Sequence, residues 1–288
     1  VRKILPFLLI LLLIVGCRAP EKEEKPVVVA SIYPYELLLR EILGPDFEVK
    51  TLIPPNASPH SYSPRPKELA ELHEAAFALS NGYGLETGLD QAFDALGEKH
   101  LKVSELLGEE AAGAQGNPHV WLSPILMQKL VLELYPKLQE LFPEHHDVIA
   151  NNAVNLGATL TALDSRIETE RERMEKTPLI TFHDSFHHFT KLYEIDDLGS
   201  VQSSAGHEPS PGDLARLGAL IKENSVTAVC VEPQMDKKSA QVLASEFDLD
   251  VVELDPLGTS LEVNTLTELI EANWERMRSI WTKAANGK

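Results

Sequence analysis

Runs of β-branched and apolar residues alternate along this chain with stretches whose apolar positions recur every three to four residues. Val27 to Ile32 is the first such run, and a helical stretch from Tyr35 to Leu43 follows it. Val49 to Ile53 predicts a second strand, followed by a proline-rich loop from Pro54 to Pro66. Lys67 to Glu74 predicts a helix, Ala75 to Ser80 a strand, and Ser123 to Phe142 a longer helix. The second half repeats the alternation. Leu179 to Phe182, Leu198 to Gln202, Val226 to Val231 and Val251 to Leu254 are strand candidates separated by helix-like segments. Strands alternating with helical patterns predict an α/β class, with mostly parallel sheets covered by helices.

Between the halves lies the clearest helical pattern. Ile149, Ala153, Leu156, Leu160, Leu163 and Ile167 are spaced four and three residues apart in turn, which draws one apolar stripe. Gly157 is the only breaker from Pro143 to Lys176. Some 33 residues at about 1.5 Å each predict a rod of about 50 Å. Its end, Glu168 to Lys176, is highly charged and is expected to run exposed. The pattern therefore predicts an N-terminal lobe over 27–142, a rigid linker helix over 143–176 and a C-terminal lobe over 177–288. A coiled-coil dimer would use the same spacing, but the stripe covers under three heptads. The expectation is a monomer.

The start of the chain carries a different pattern. Arg2 and Lys3 precede an almost unbroken apolar run from Ile4 to Val15. That length suits a signal-peptide core and falls short of the ~20 residues a membrane span needs. The run ends in Ile14-Val15-Gly16-Cys17. Small residues before a cysteine resemble the lipobox of bacterial lipoproteins, so 1–16 are expected to be cleaved and Cys17 to be lipidated. The polar, proline-flanked stretch from Cys17 to Pro26 cannot bury a core and is expected to be a flexible tether. The protein is thus placed outside the cytoplasm, lipid-anchored to a bacterial membrane, in the periplasm or at the cell surface.

Charge narrows the partners. The formal net charge is −18, and losing Arg2 and Lys3 with the leader makes it two units more negative. This excludes nucleic acid as a partner and favours cations. Cys17 and Cys230 are the only cysteines. With Cys17 lipidated, no disulfide within the chain can form. Cys230 lies in the apolar run Val226 to Val231 and is expected to be a buried small hydrophobe.

Four side chains that can hold a metal sit near the ends of predicted elements. His183 directly follows Leu179 to Phe182, and Asp255 directly follows Val251 to Leu254. His60 lies in the loop after Val49 to Ile53, and His119 opens the segment leading into the Ser123 helix. In open α/β sheets, ligands bind beyond the carboxyl ends of the strands. Two residues come from each half, so a metal would lie between lobes. Three imidazoles and a carboxylate form a closed ligand set for a borderline divalent cation such as zinc. Any one of these histidines alone is better explained as an ordinary surface or hydrogen-bonding residue.

Five stretches carry a family resemblance. They are Ser58-Pro-His-Ser-Tyr-Ser-Pro-Arg-Pro66, Asn117-Pro-His-Val-Trp-Leu-Ser-Pro124, His183-Asp-Ser-Phe186, Glu232-Pro-Gln234 and Leu254-Asp-Pro-Leu-Gly258. In this order the chain resembles the substrate-binding lipoproteins of bacterial zinc/manganese ABC importers. The resemblance implies two α/β lobes joined by a long rigid helix, with metal held between them by His60, His119, His183 and Asp255. It also implies a membrane ABC permease and its ATPase as partners. A histidine at the third ligand position, here His183, goes with zinc, while a glutamate there goes with manganese; imidazole suits the first and oxygen the second. Manganese stays as the alternative cargo. Zinc members often carry a histidine-rich loop before the second ligand. The corresponding segment here, Glu109 to Gly116, has no histidine, so the resemblance does not extend to a metal-scavenging loop.

The remaining candidates rank lower. Glu232 is expected to support a ligand from behind. His207 lies in a loop expected to face the cleft and is a candidate extra ligand. His187 and His188 are assigned to packing or exposure, His145 and His146 to solvent, and His73 and His100 show no partner. Two other function classes stay open. A surface adhesin would use the metal only structurally. A zinc hydrolase would need an open coordination position and a nearby base, and the chain has no His-Glu-x-x-His helix to supply them; the expectation is that the protein is not an enzyme.

Overall fold

The computed structural model describes residues 25–54, 56–174, 177–201, 210–235 and 237–286. The predicted leader, Cys17, most of the tether and His207 lie outside the described residues. The first lobe runs β1 (Val27–Ala30), α1 (Tyr33–Leu43), β2 (Glu48–Thr51), α2 (Pro66–His73), β3 (Phe77–Ser80), α3 (Asp90–Asp94), β4 (His100–Lys102), α4 (Val103–Leu107) and α5 (Pro124–Leu141). Its sheet has the order β2-β1-β3-β4, with every pair parallel. After the long helix α6 (His146–Glu172), the second lobe runs β5 (Leu179–Thr181), α7 (His187–Leu192), β6 (Asp197–Ser200), α8 (Pro211–Asn224), β7 (Ala228–Val231), α9 (Lys238–Phe247), β8 (Asp250–Glu253) and α10 (Leu266–Asn286). Its sheet has the order β6-β5-β7-β8, again all parallel.

The central strands explain their own sequences. β3 and β7 are buried at every position and read as continuous apolar runs, as strands covered on both faces must. β2 lies at an edge, and its Glu48 and Lys50 are exposed. Three elements leave too little pattern to be read from sequence: the three-residue strand β4 and the five-residue helices α3 and α4. Each is shorter than the window over which its repeat can be recognised, about 11–18 residues for a helix and 4–8 for a strand.

The long helix differs from its expected extent. Pro143 to His145 form a 3-10 turn, and the α-helix proper begins at His146 and ends at Glu172. Pro143 has no N–H to give, and Phe142 before it is forced out of helical geometry at φ −129°, ψ 66°. Twenty-seven residues make a rod of about 40 Å, shorter than the ~50 Å expected. The stripe from Ile149 to Ile167 is buried throughout, each large side chain worth about 1.5–3 kcal/mol of apolar transfer. The charged end is not uniformly exposed, because Arg171 is only 3% exposed and its guanidinium lies 4.8 Å from the Trp281 ring centroid.

Packing makes the two lobes continuous. α6 lies along α5 and α1, and α10 returns from the second lobe to touch both α1 and α6. One hydrophobic core runs from Val28 in β1 through the α6 stripe to Phe186, Leu254 and Trp274. A smaller core, including Phe182, Leu217, Val229 and Leu243, covers the second sheet. No helix among the described residues is long and apolar enough to cross a membrane.

Candidate metal centre

Parallel strands send every following loop to the same edge of their sheet. His60 leaves β2, His183 leaves β5, Glu232 leaves β7 and Asp255 leaves β8, while His119 caps the 3-10 turn Val120–Leu122 just before α5. Three imidazoles meet there. One ring nitrogen from each of His60, His119 and His183 lies within 4.8 Å of the others. The closest approach is His60 Nε2 to His119 Nε2, at 3.2 Å. Tetrahedral zinc with bonds of about 2.0–2.1 Å sets its ligand atoms about 3.4 Å apart, so this pair already stands at a coordinating separation.

Two of the rings are fixed from behind. The Asn117 amide is oriented unambiguously, because its Oδ1 accepts from the His119 backbone N–H at 3.0 Å and its Nδ2 donates to the Asp184 carbonyl at 2.7 Å. The same Oδ1 lies 2.9 Å from His119 Nδ1, so Nδ1 carries the proton and Nε2 presents its lone pair to the cavity. Glu232 does the same for His183, with Oε1 3.1 Å from Nδ1. Ser185 Oγ donates to that carboxylate oxygen at 2.6 Å and holds it in place. Since His119 Nε2 is an acceptor, the 3.2 Å contact makes His60 Nε2 the donor in the metal-free protein. A metal would replace that bond, with the His60 proton moving to Nδ1.

Asp255 is treated differently. It is fully buried, yet its carboxylate is not part of the three-histidine convergence. Oδ1 accepts from the N–H groups of Leu257 and Gly258 at 3.1 and 3.0 Å and from Gln234 Nε2 at 2.9 Å. Oδ2 accepts from Ser260 N at 2.6 Å and Ser260 Oγ at 2.7 Å. From α10, Asn273 clasps the Asp255 backbone by accepting from its N–H at 2.7 Å and donating to its carbonyl at 2.8 Å. Gly258 sustains this turn at φ +73°, where a Cβ would lie 2.6 Å from Leu269 Cδ1.

The space enclosed is small. Pro59, His60, His119, Trp121, His183 and Leu257 are among the residues lining a cavity of about 20 Å³. That volume suits one water or one bare ion. Burial, followed by the nearby His183 ring, pushes the pKa of His60 down to about 4. Burial and then the His183 and His60 rings hold His119 well below the usual histidine range. Both are therefore neutral at pH 7, the form in which imidazole binds a metal.

Other histidines find quieter places. His187 Nδ1 lies 3.4 Å from Asp184 Oδ2, and its ring belongs to no three-residue metal cluster among the described residues. His188 is half-buried, with Nε2 2.9 Å from the Asn117 carbonyl oxygen. His146 is exposed, whereas His145 is half-buried with its ring 4.7 Å from Phe47, correcting the solvent assignment. His100 also has partners: Ser80 Oγ at 2.8 Å and the Phe93 ring stacked at 5.0 Å. Cys230 is buried, and burial raises its thiol pKa. Sequence reasoning missed Asn117. Its place in Asn-Pro-His-x-Trp was the available signal, since an Asn two residues before a buried His can reach that residue's N–H and ring together.

Comparison with known proteins agrees with this geometry. Residues 28–280 match the family model described as ZnuA, zinc-uptake complex component A, periplasmic. The chain belongs to this family. A putative metal-binding protein of Thermotoga maritima is 31% identical over 248 residues, covering 85% of this chain and 89% of the relative. The high-affinity zinc uptake system protein ZnuA of Bacillus subtilis is 29% identical over 263 residues, covering 85% and 82%. A crystal structure of ZnuA superposes with a TM-score of 0.78 at 28% identity, covering 89% of this chain and 99% of the other. Members of this family are metal-binding components of uptake systems, and the two parallel-sheet lobes with a long helix between them are their architecture.

Proposed function

We propose that this protein captures a zinc ion outside the cytoplasm and delivers it to a membrane ABC permease driven by an ATPase. The observation that carries this reading is the convergence of three imidazoles on a cavity of about 20 Å³. Nitrogen donors favour zinc over manganese. A cavity of that size admits the ion and excludes an organic substrate, which separates the site from a hydrolase. Asp255 completes the set with an oxygen, exchanging one of its loop hydrogen bonds for the metal. Lipid on Cys17 holds the protein at the membrane surface, where its cargo is passed on.

Three measurements test this. Elemental analysis of protein purified without added metal should find about one zinc per chain, and zinc should outcompete manganese in titration. His183→Glu should narrow the gap between the two metals, because an oxygen replaces a nitrogen. Equal affinity for both metals in the parent protein would overturn the cargo assignment. Cys17→Ser should bind zinc in vitro yet lose membrane association; a cleaved variant that stays fully membrane-bound would remove the lipid tether.

A further inference from the structure

The segment Asn117 to Trp121 touches both ligand loops of the opposite lobe. Asn117 Nδ2 donates to the Asp184 carbonyl at 2.7 Å and lies 3.3 Å from Asp184 Oδ2, on the loop that carries His183. The Asn117 carbonyl accepts from His188 Nε2 at 2.9 Å, at the start of α7. Four residues on, Trp121 Nε1 donates to the Pro256 carbonyl at 2.7 Å, on the loop that carries Asp255. Asn117 is itself buried at 9% exposure, so its bonds are partly shielded from competing water. One side chain thus fixes the His119 ring, and the same residue ties the His183 loop across the cleft.

The core that joins the lobes leaves little room for wide opening. α10 packs on both α1 and α6, and a single apolar cluster spans the two halves. A metal can then leave only by a local separation of the ligand loops, and the bonds at Asn117 resist that separation. We propose that Asn117 is a positioning residue that sets the rate of metal release, acting as a latch between the His119 segment and the His183 loop. This rests on the zinc-capture reading above. It also gives His188 a part that no ligand role would: its ring closes the second half of the latch.

The two functions of Asn117 can be separated chemically. Asn117→Asp keeps an oxygen for the His119 N–H and Nδ1–H but removes the amide that holds Asp184, and it sets a carboxylate beside the Asp184 carboxylate. His188→Phe keeps an aromatic ring but removes the donor to the Asn117 carbonyl. Zinc release from the full-length protein is measured by stopped-flow transfer to a chromophoric chelator, and zinc association by the reverse experiment. Circular dichroism and tryptophan fluorescence check that each variant is folded. Each variant should release zinc about five- to tenfold faster, the worth of one shielded hydrogen bond, with association changed less than about threefold. The double variant should release zinc less than multiplicatively faster, because the two bonds share one latch. Folded variants that release zinc within about twofold of the parent, or a double variant whose effects multiply, would overturn the latch while leaving zinc capture intact. A parent protein that binds no zinc would overturn both.

Discussion

The imidazoles of His119 and His183 are clamped from behind, whereas His60 rides on a proline-rich loop. Asn117 and Glu232 hold the first two rings through Nδ1, and both rings are buried. Among the described residues the one hydrogen-bond contact of the His60 ring is that of Nε2 with His119, none reaches its Nδ1, and the ring packs edge-on against His183 at 5.1 Å between centroids. Its loop is anchored further on, where Glu68 accepts from the Arg65 backbone N–H at 2.8 Å and from the Tyr62 hydroxyl. The difference separates two preorganised candidate ligands from one that can swing. A clamped ring loses little freedom when metal arrives, so its bond contributes nearly its full strength. An unclamped ring loses more freedom, and it is free to let go first.

The ligand series is the strongest way to break that comparison. Structural zinc in zinc-finger peptides is bound with roughly 10–16 kcal/mol over four ligands, which sets the scale for losing one. His119→Ala and His183→Ala should each lower affinity by about a hundredfold or more in titration calorimetry. His60→Ala should cost about tenfold less than either. His187→Ala should change affinity by less than about twofold. A His60→Ala loss equal to that of His183→Ala would erase the distinction between clamped and free rings.

A smaller effect should come from the clamp itself. Glu232→Gln keeps an oxygen near His183 Nδ1 but removes the negative charge behind the ring, and changes of this kind cost about 10- to 100-fold in metal affinity. The expected loss lies near the lower figure, because Ser185 still orients the side chain. Unchanged zinc affinity in this variant would mean that burial alone fixes His183.

The smallest effect is on the metal-free fold. Burial holds the pKa of His60 down to about 4 and that of His119 well below the ordinary value. The unfolded chain takes up protons near pH 6.5 that these two rings refuse when folded. Stability is therefore full above pH 6.5 and falls as the pH drops from 6.5 towards 4. Urea unfolding of the metal-free protein should lose about 1 kcal/mol between pH 6.5 and 5.5 at the His60 position, and His60→Gln should lessen that slope. Zinc affinity follows the same rings, so proton competition from His60 should set in nearer pH 4 than pH 6.5. A pH-independent unfolding midpoint across this window would mean that the rings are more solvated than their burial indicates.

The alternation of apolar runs and helical stripes was enough to place every strand but β4, the parallel sheets and the long helix, because burial on both faces writes itself into composition. The stripe from Ile149 to Ile167 was legible for the same reason, since a packed face must repeat with the helix. Residues near strand ends also named the candidate ligands, as parallel topology sends such loops to one edge. Where α6 begins followed from Pro143 but was read three residues early, since a 3-10 turn carries the same residues as a helix start. Other features were decided only by tertiary structure. Asn117 meeting Asp184, Trp121 meeting Pro256 and His188 meeting Asn117 are contacts between segments 67 to 135 residues apart. No local pattern encodes them, because each depends on how two lobes share one core. The same holds for Asp255, whose type and position mark it as a ligand, while the fold turns its carboxylate onto its own loop. The pKa of His60 is likewise a property of the folded cavity, since burial and a neighbouring ring move it and neither exists in the extended chain.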